Sequence, residues 1–186
     1  MQIISLATHC GTHIDVPAHF FRDGATVDTI PLSQLVGPAF VLDVTGRGDG
    51  ERIHWEDIAK HEDVVRRAAS CGGNLLFRTG WSQFWGTQRY FDHPFLDGDV
   101  ARKLVELGVK TLGIDAMSPD KTTVGSDSAW DFTVHNTVLK AGLVIAENLT
   151  NLDQIQTGSW IVSVTPLKIA GGDGSPVRAY AVRIGE

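Results

Sequence analysis

Two cysteines, Cys10 and Cys71, are all that this chain of 186 residues carries. So few thiols, so irregularly placed, exclude a disulfide framework and a thiolate zinc site. Long hydrophobic runs are lacking too: nothing approaches the about 20 apolar residues of a membrane span. The opening Met-Gln-Ile-Ile-Ser-Leu has neither the charged nor the apolar region of a secretory signal, so a cytoplasmic location is expected. Positive charge is also scarce, with 16 Lys and Arg against 22 Asp and Glu and a net charge of −6. Without a basic stripe, nucleic acid and anionic membrane are excluded as main partners, and a small-molecule substrate is favoured. A hydrophobic content of 42% and a charged content of 20% are ordinary for a globular chain. The length suits one domain with a substantial core, and no internal repeat or low-complexity tract argues for more.

What the chain does have is histidine in one place. Three of its seven histidines fall in the eleven residues from His9 to His19. His9, His13, Asp15 and His19 are all odd-numbered, so on an extended chain they project from one face, together with Gly11 and Pro17. At about 3.3 Å per residue a straight strand would hold His9 and His13 roughly 13 Å apart. Imidazole nitrogens bind zinc at about 2.0–2.1 Å, so two such residues meet on one ion only if the chain bends. Gly11 is the residue that tolerates the bend. A helix would also bring i and i+4 together, but Gly11, the β-branched Thr12, Ile14 and Val16, and Pro17 are all poor helix formers. The segment therefore reads as a kinked strand running into a loop, with Cys10 facing away from the polar wall as a small packed hydrophobe. An inert, hydrogen-bonded strand edge is the alternative. Clustering an acid with three imidazoles costs desolvation that a purely structural strand has no need to spend.

Downstream, short apolar runs alternate with helical periodicity. Strands are expected at 39–44, 74–78, 111–115 and 143–147, and helices at 55–69, 98–107 and 131–141, stopped by Gly72, Gly108 and Gly142. Residues 159–168 and 177–184 read as an antiparallel pair closed by the Gly171 to Pro176 turn. The sum is an α/β fold with a mixed sheet. Residues 20–37 read as a loop covering the site, and 116–130 as the least predictable connection. Trp81, Phe84 and Trp85 suit a pocket wall and core packing equally.

His9, His13 and Asp15 form an N/N/O set suited to zinc or manganese, and Asp15 has a second oxygen with which to bridge another ion. Further ligands would have to come from far along the chain, where His135 and Glu147 are the candidates. Glu147 ends the apolar strand Leu-Val-Ile-Ala, where an unpaired carboxylate is costly.

These residues resemble the cyclase family of metal-dependent hydrolases, which includes bacterial kynurenine formamidase and isatin hydrolase. The resemblance rests on the His9–His19 motif followed by Phe20, on Arg78-Thr79-Gly80-Trp81, on Gly113-Ile114-Asp115, on His135-Asn136 and Glu147-Asn148-Leu149, and on Pro166-Leu167-Lys168-Ile169 with Gly172-Asp173-Gly174-Ser175-Pro176. It implies a single domain of the swivelling β/β/α type, assembled as a homodimer or homotetramer. In the formamidase branch His9, His13 and Asp15 would hold one Zn2+, Asp15, His135 and Glu147 a second, and His19 would donate and accept protons. The isatin hydrolase branch uses a single Mn2+, so one or two divalent ions per chain are expected. Family members carry a further segment before the histidine motif, including a tryptophan that contacts substrate in the formamidases. Only eight residues precede His9 here, so the chain is expected to be short at its N-terminus.

The reaction so implied is hydrolysis of a small amide, formamide or lactam, with metal-activated water as nucleophile and His19 as general acid and base. Two other readings share the same ligands: a metal-dependent lyase or dehydratase, which would consume no water, and a metal-holding protein without turnover.

Overall fold

The computed structural model describes residues 1–123, 131–155 and 158–185. Its centre is four parallel strands, β2 (Val36–Asp43), β4 (Asn74–Arg78), β6 (Thr111–Ile114) and β7 (Val144–Glu147), in that spatial order. The sheet is extended antiparallel at both ends. β1 (His13–Asp15) and β9 (Gly174–Pro176) lie beyond β7, while β8 (Ser159–Ser163) and β10 (Tyr180–Ile184) lie beyond β2. A separate parallel pair joins β3 (Arg52–Ile53) to β5 (Phe95–Leu96). This is the α/β fold with a mixed sheet read from the sequence.

Alternation along the strands divides the interior into two cores. Leu75, Phe77, Leu112, Ile114 and Ile145 face α3 (Glu62–Ser70), α4 (Gly98–Leu107) and α5 (Thr133–Lys140), which contribute Val65, Ala68, Val100, Leu104, Val134 and Val138. Leu76, Val144, Ala146 and Ile14 face the opposite way, onto Val27, Ile30, Leu35 and Leu152. Each such Leu or Ile, fully buried, stabilises the fold by about 1.5–3 kcal/mol. The same alternation orients the polar residues of β1 and β7. Ile14 and Ala146 belong to the second core, so His13, Asp15 and Glu147 point to the helix side.

Several boundaries match the sequence reading closely. β4 spans the expected residues, and α4 opens on Asp97, whose side chain accepts from Asp99 N, and stops at Gly108 in the left-handed region at φ 86. Others need correction. The expected helix over 55–69 is two helices, α2 (Trp55–Ile58) and α3, joined by a 3-10 turn at Ala59–His61. Lys60, His61, Glu62 and Asp63 supply no apolar anchor there, and the two acids favour a fresh helix N-terminus. Gly171 to Pro176 is not the tip of a hairpin. β8 and β10 do pair, but Gly174–Pro176 forms its own strand against β1 at the far edge of the sheet. Gly174 permits that approach, because a Cβ there would meet the His9 ring and lie 2.8 Å from Ile14 O. Residues 20–37 cover the site only at their start, where the Phe20 ring stacks on His135 with centroids 5.2 Å apart; Val27, Ile30 and Leu35, with α1 (Leu32–Leu35), seal the second core instead. Residues 124–130 of the expected 116–130 connection lie outside the described residues.

Candidate metal centre

Gly11 adopts φ 59, and the kink expected there brings His9 back over β1. Strand geometry begins only at His13, so alternation does not extend to Cys10, which is exposed rather than packed. After Asp15 the chain passes Pro17 into a single 3-10 turn, Pro17–His19. That turn lays the His19 ring on the His9 ring, with centroids 3.9 Å apart.

Register does the rest. His13 pairs with Glu147 and Asp15 with Ile145 across the antiparallel β1–β7 ladder. α5 packs over β7 and supplies His135. The result is a set of five groups centred on Asp15, four of them buried and His9 half-buried. Its Oδ1 lies 2.6 Å from His9 Nδ1 and 3.3 Å from His13 Nε2, and its Oδ2 lies 3.2 Å from His135 Nε2. Glu147 completes the set, with Oε2 3.4 Å from His13 Nε2 and Oε1 3.3 Å from His135 Nε2. All five sequence-derived ligand candidates are therefore brought together, and His19 stands beside them.

Two residues outside that list shape the site. Asp120, 4% exposed, accepts from the backbone N–H groups of Val134 and His135 and, at 2.6 Å, from His135 Nδ1. It caps the first turn of α5 and turns the other ring nitrogen toward Asp15 and Glu147. Asp173 lies on the loop before β9, its Oδ2 3.1 Å from His9 Nε2 and 3.3 Å from His19 Nδ1, while Oδ1 accepts from Thr8 Oγ1. In the sequence Asp173 is visible only as part of a glycine-rich turn, and nothing marks Asp120 within its irregular stretch.

The titration pattern follows from burial and charge. Burial alone would raise the Asp15 carboxyl, but hydrogen bonds from His13, His135 and His9 hold it well below the usual range. Glu147 is pushed up, chiefly by burial, with Asp15 adding repulsion. Burial opposes charge on His135, yet Asp120, Asp15 and Glu147 outweigh it and keep the imidazole well above its ordinary value. His9 and His13 are raised in the same way, whereas burial lowers His19.

These groups fit a divalent cation. His13 Nδ1 donates to Gly11 O at 2.8 Å and His135 Nδ1 to Asp120, so in the neutral rings both Nε2 lone pairs face buried carboxylates. Only a proton or a cation between them relieves that repulsion. Two ligands on one tetrahedral zinc, at about 2.0–2.1 Å each, sit roughly 3.3 Å apart. The spacings of 3.2–3.4 Å among His13, Asp15, His135 and Glu147 match that edge. Glu147 Oε1 is, in addition, buried without a hydrogen-bond partner. His9 differs, since its 2.6 Å contact with Asp15 is a hydrogen-bond distance.

The five groups open into a cleft of about 760 Å³ at the carboxyl end of β7. Its walls include Trp85, Tyr90, Phe91, Met117 and Phe132. The aromatic stretch thus divides its work: Trp81 is buried in the first core with Phe84 against it, and Trp85 faces the cleft.

The model of the putative cyclase family matches residues 2–121. A kynurenine formamidase of Salinibacter ruber is 33% identical over 177 residues, covering 95% of this chain and 76% of that protein. Among solved structures, one described as a potential metal-dependent hydrolase with cyclase activity superposes with a TM-score of 0.78 at 35% identity, over 97% of this chain and 82% of the other. An isatin hydrolase bound to the product analogue thioisatinate superposes with a TM-score of 0.82 at 25% identity, over 97% and 74%. By family model, sequence and fold alike, the chain belongs to the cyclase family.

Proposed function

We propose that this chain is a metal-dependent hydrolase of a small amide, formamide or lactam, acting on a non-peptide C–N bond. The observation that carries the reading is Asp15, buried between two histidine groups with one oxygen for each. In this reading His9, His13 and Asp15 hold one divalent ion, and Asp15, His135 and Glu147 hold a second. The N/O donors suit Zn2+ or Mn2+ and include no thiolate. What such an ion supplies is Lewis acidity, which polarises an acyl oxygen and makes water ionise near neutral pH.

The chain's own residues do the remainder. Trp85, Phe91 and Phe132 offer apolar walls to a planar substrate and exclude water from its faces. His19, half-buried and held by Asp173, takes the proton that water loses and returns it to the leaving nitrogen. Burial keeps the His19 imidazole below its ordinary pKa, which favours the neutral form a proton acceptor needs.

Assembly as a homodimer or homotetramer belongs to the same reading. Tyr180, Val182 and Ile184, exposed along one face of the edge strand β10, are surface that a second copy would cover. The free thiols Cys10 and Cys71 suit a reducing, cytoplasmic location. No described helix is long and apolar enough to cross a membrane.

The test joins metal analysis of protein purified without chelator to a screen of aryl formamides and lactams. One or two divalent ions per chain with turnover of at least one compound is expected. Protein that stays metal-free after incubation with zinc and manganese would sink the reading. Oxygen from labelled water in the product separates hydrolysis from elimination.

A further inference from the structure

Asn148, the residue after Glu147, holds a left-handed backbone conformation at φ 55, which asparagine tolerates better than most residues bearing a Cβ. Contacts to three separate segments fix it there. Its N–H donates to Ala116 O at 3.0 Å, its carbonyl accepts from Thr12 Oγ1 at 2.8 Å, and its Oδ1 accepts from the Tyr90 hydroxyl at 2.8 Å. Tyr90 is 5% exposed, and burial, with the negative charge of Asp115 and Glu147, pushes its hydroxyl well up in pKa. It therefore stays protonated and can keep donating. With the oxygen of the carboxamide engaged, the amide nitrogen keeps both its hydrogens. Among the described residues the Asn148 side chain is hydrogen-bonded at Oδ1, and no bond leaves Nδ2.

The position of that spare donor matters. Asn148 and Tyr90 line the same cleft as His13, Asp15 and Glu147. A neutral donor on an immobilised backbone, next to the groups that gather a cation, is suited to an acyl oxygen on which charge develops. A residue present only to make a left-handed turn has no need of a side chain locked by a buried tyrosine.

We propose that Asn148 is a further catalytic residue, donating from Nδ2 to the acyl oxygen of the substrate, and that Tyr90 is the positioning residue that fixes the orientation of its carboxamide. The inference rests on the amide-hydrolase reading. In the reaction the oxygen of water bonds to the acyl carbon, and the carbonyl π pair moves onto the acyl oxygen, where Nδ2–H meets it. Return of that pair breaks the C–N bond, and the nitrogen leaves with the proton that water gave up to His19.

The experiment compares wild type with Asn148→Gly, Asn148→Asp and Tyr90→Phe, all metal-loaded, on whichever aryl formamide or lactam is cleaved. Glycine keeps the backbone angle and removes the donor; aspartate keeps the shape and the acceptor for Tyr90. For both Asn148 variants kcat should fall by about 10²- to 10³-fold, the usual worth of one such donor. KM should stay within a few-fold and metal content per chain should be unchanged. Tyr90→Phe should lower kcat by less than either, with the same KM. Binding gives a second readout: an aryl phosphonate, tetrahedral and anionic like the developing transition state, should bind Asn148→Gly more weakly in parallel with the loss of kcat. If Asn148→Gly fails to fold, Asn148→Asp carries the same comparison. Wild-type kcat in Asn148→Gly, or metal lost in step with kcat, overturns this inference while leaving the hydrolase reading standing. A wild-type protein inactive on every formamide and lactam overturns both.

Discussion

His13 and Glu147 are register partners across the β1–β7 ladder, and their side chains meet with Nε2 3.4 Å from Oε2. That one antiparallel pairing joins the histidine-rich start of the chain to a strand 134 positions later. It also sets Asp15 where its second oxygen reaches His135. The two halves of the site are therefore separable by mutation only on either side of Asp15.

Asp15→Ala should empty the site of metal altogether, because both groups of donors use that carboxylate. Glu147→Gln and His135→Ala should each remove one ion and leave the other with His9, His13 and Asp15. Metal per chain, measured by mass spectrometry after exhaustive dialysis, distinguishes these outcomes. Equal loss in all three variants would mean a single ion shared by every donor.

Much of this was legible in the sequence because it is local. The parity of His13 and Asp15 and the bend at Gly11 depend on backbone geometry within a few residues, and β4 and α4 on apolar periodicity with glycine stops, whereas His9 and His19 reach the site through that bend and the Pro17–His19 turn rather than by alternation. What was not legible depends on distant pairing. Nothing near Gly174 announces that it forms a strand against β1 instead of a hairpin tip, since the reason is the approach of the His9 ring and Ile14 O to its missing Cβ. Asp120 was missed for a similar reason: its partners lie on a helix that begins 13 residues later. Cys10 differs from the expectation because it lies on the far side of the Gly11 kink, where strand alternation no longer holds.

Asp120→Asn should weaken metal binding without emptying the site. The asparagine can still accept from one α5 amide, but its NH2 confronts His135 Nδ1, and the ring is no longer held with Nε2 toward Asp15. Loss of such a carboxylate behind a histidine ligand typically costs 10- to 100-fold in affinity, and a lost helix cap about 1 kcal/mol in stability. Titration against a competing chelator reads the first, and thermal melting the second. Unchanged affinity would reduce Asp120 to a helix cap.

Chelated protein should lose stability as pH rises above neutrality. The folded-state pKa of His9, His13 and His135 is raised above the unfolded value of about 6.5, so their contribution is full below that value and fades as pH climbs through the folded values. Glu147, also raised, acts in the same direction at lower pH, where an ordinary carboxyl has already ionised. Asp15 works oppositely, and its contribution disappears only in strong acid. Added zinc or manganese should take over the role of the protons and flatten the alkaline limb. Melting temperatures across pH 6 to 9, with and without metal, provide the comparison. A chelated protein as stable at pH 9 as at pH 6 would contradict the assignment.

The last prediction separates the proton carrier from the ligands. His19 stacks on His9 and shares Asp173 with it, so His9, His19 and Asp173 themselves form a group of close donors able to hold an ion. Two facts favour the carrier role. His19 follows Pro17 on a turn that leaves β1, and its imidazole is lowered in pKa where those of His9, His13 and His135 are raised. If His19 only moves protons, His19→Ala should keep wild-type metal content while turnover falls by about 10²- to 10⁴-fold, the usual worth of a positioned acid or base. His9→Ala should lose metal and turnover together, and should melt earlier, because metal binding stabilises the folded state. The decisive measurement is metal content beside rate for the two variants prepared in parallel. Metal lost from His19→Ala in step with its activity would make His19 a ligand, and proton transfer to the leaving nitrogen would then have to be assigned to another residue of the cleft.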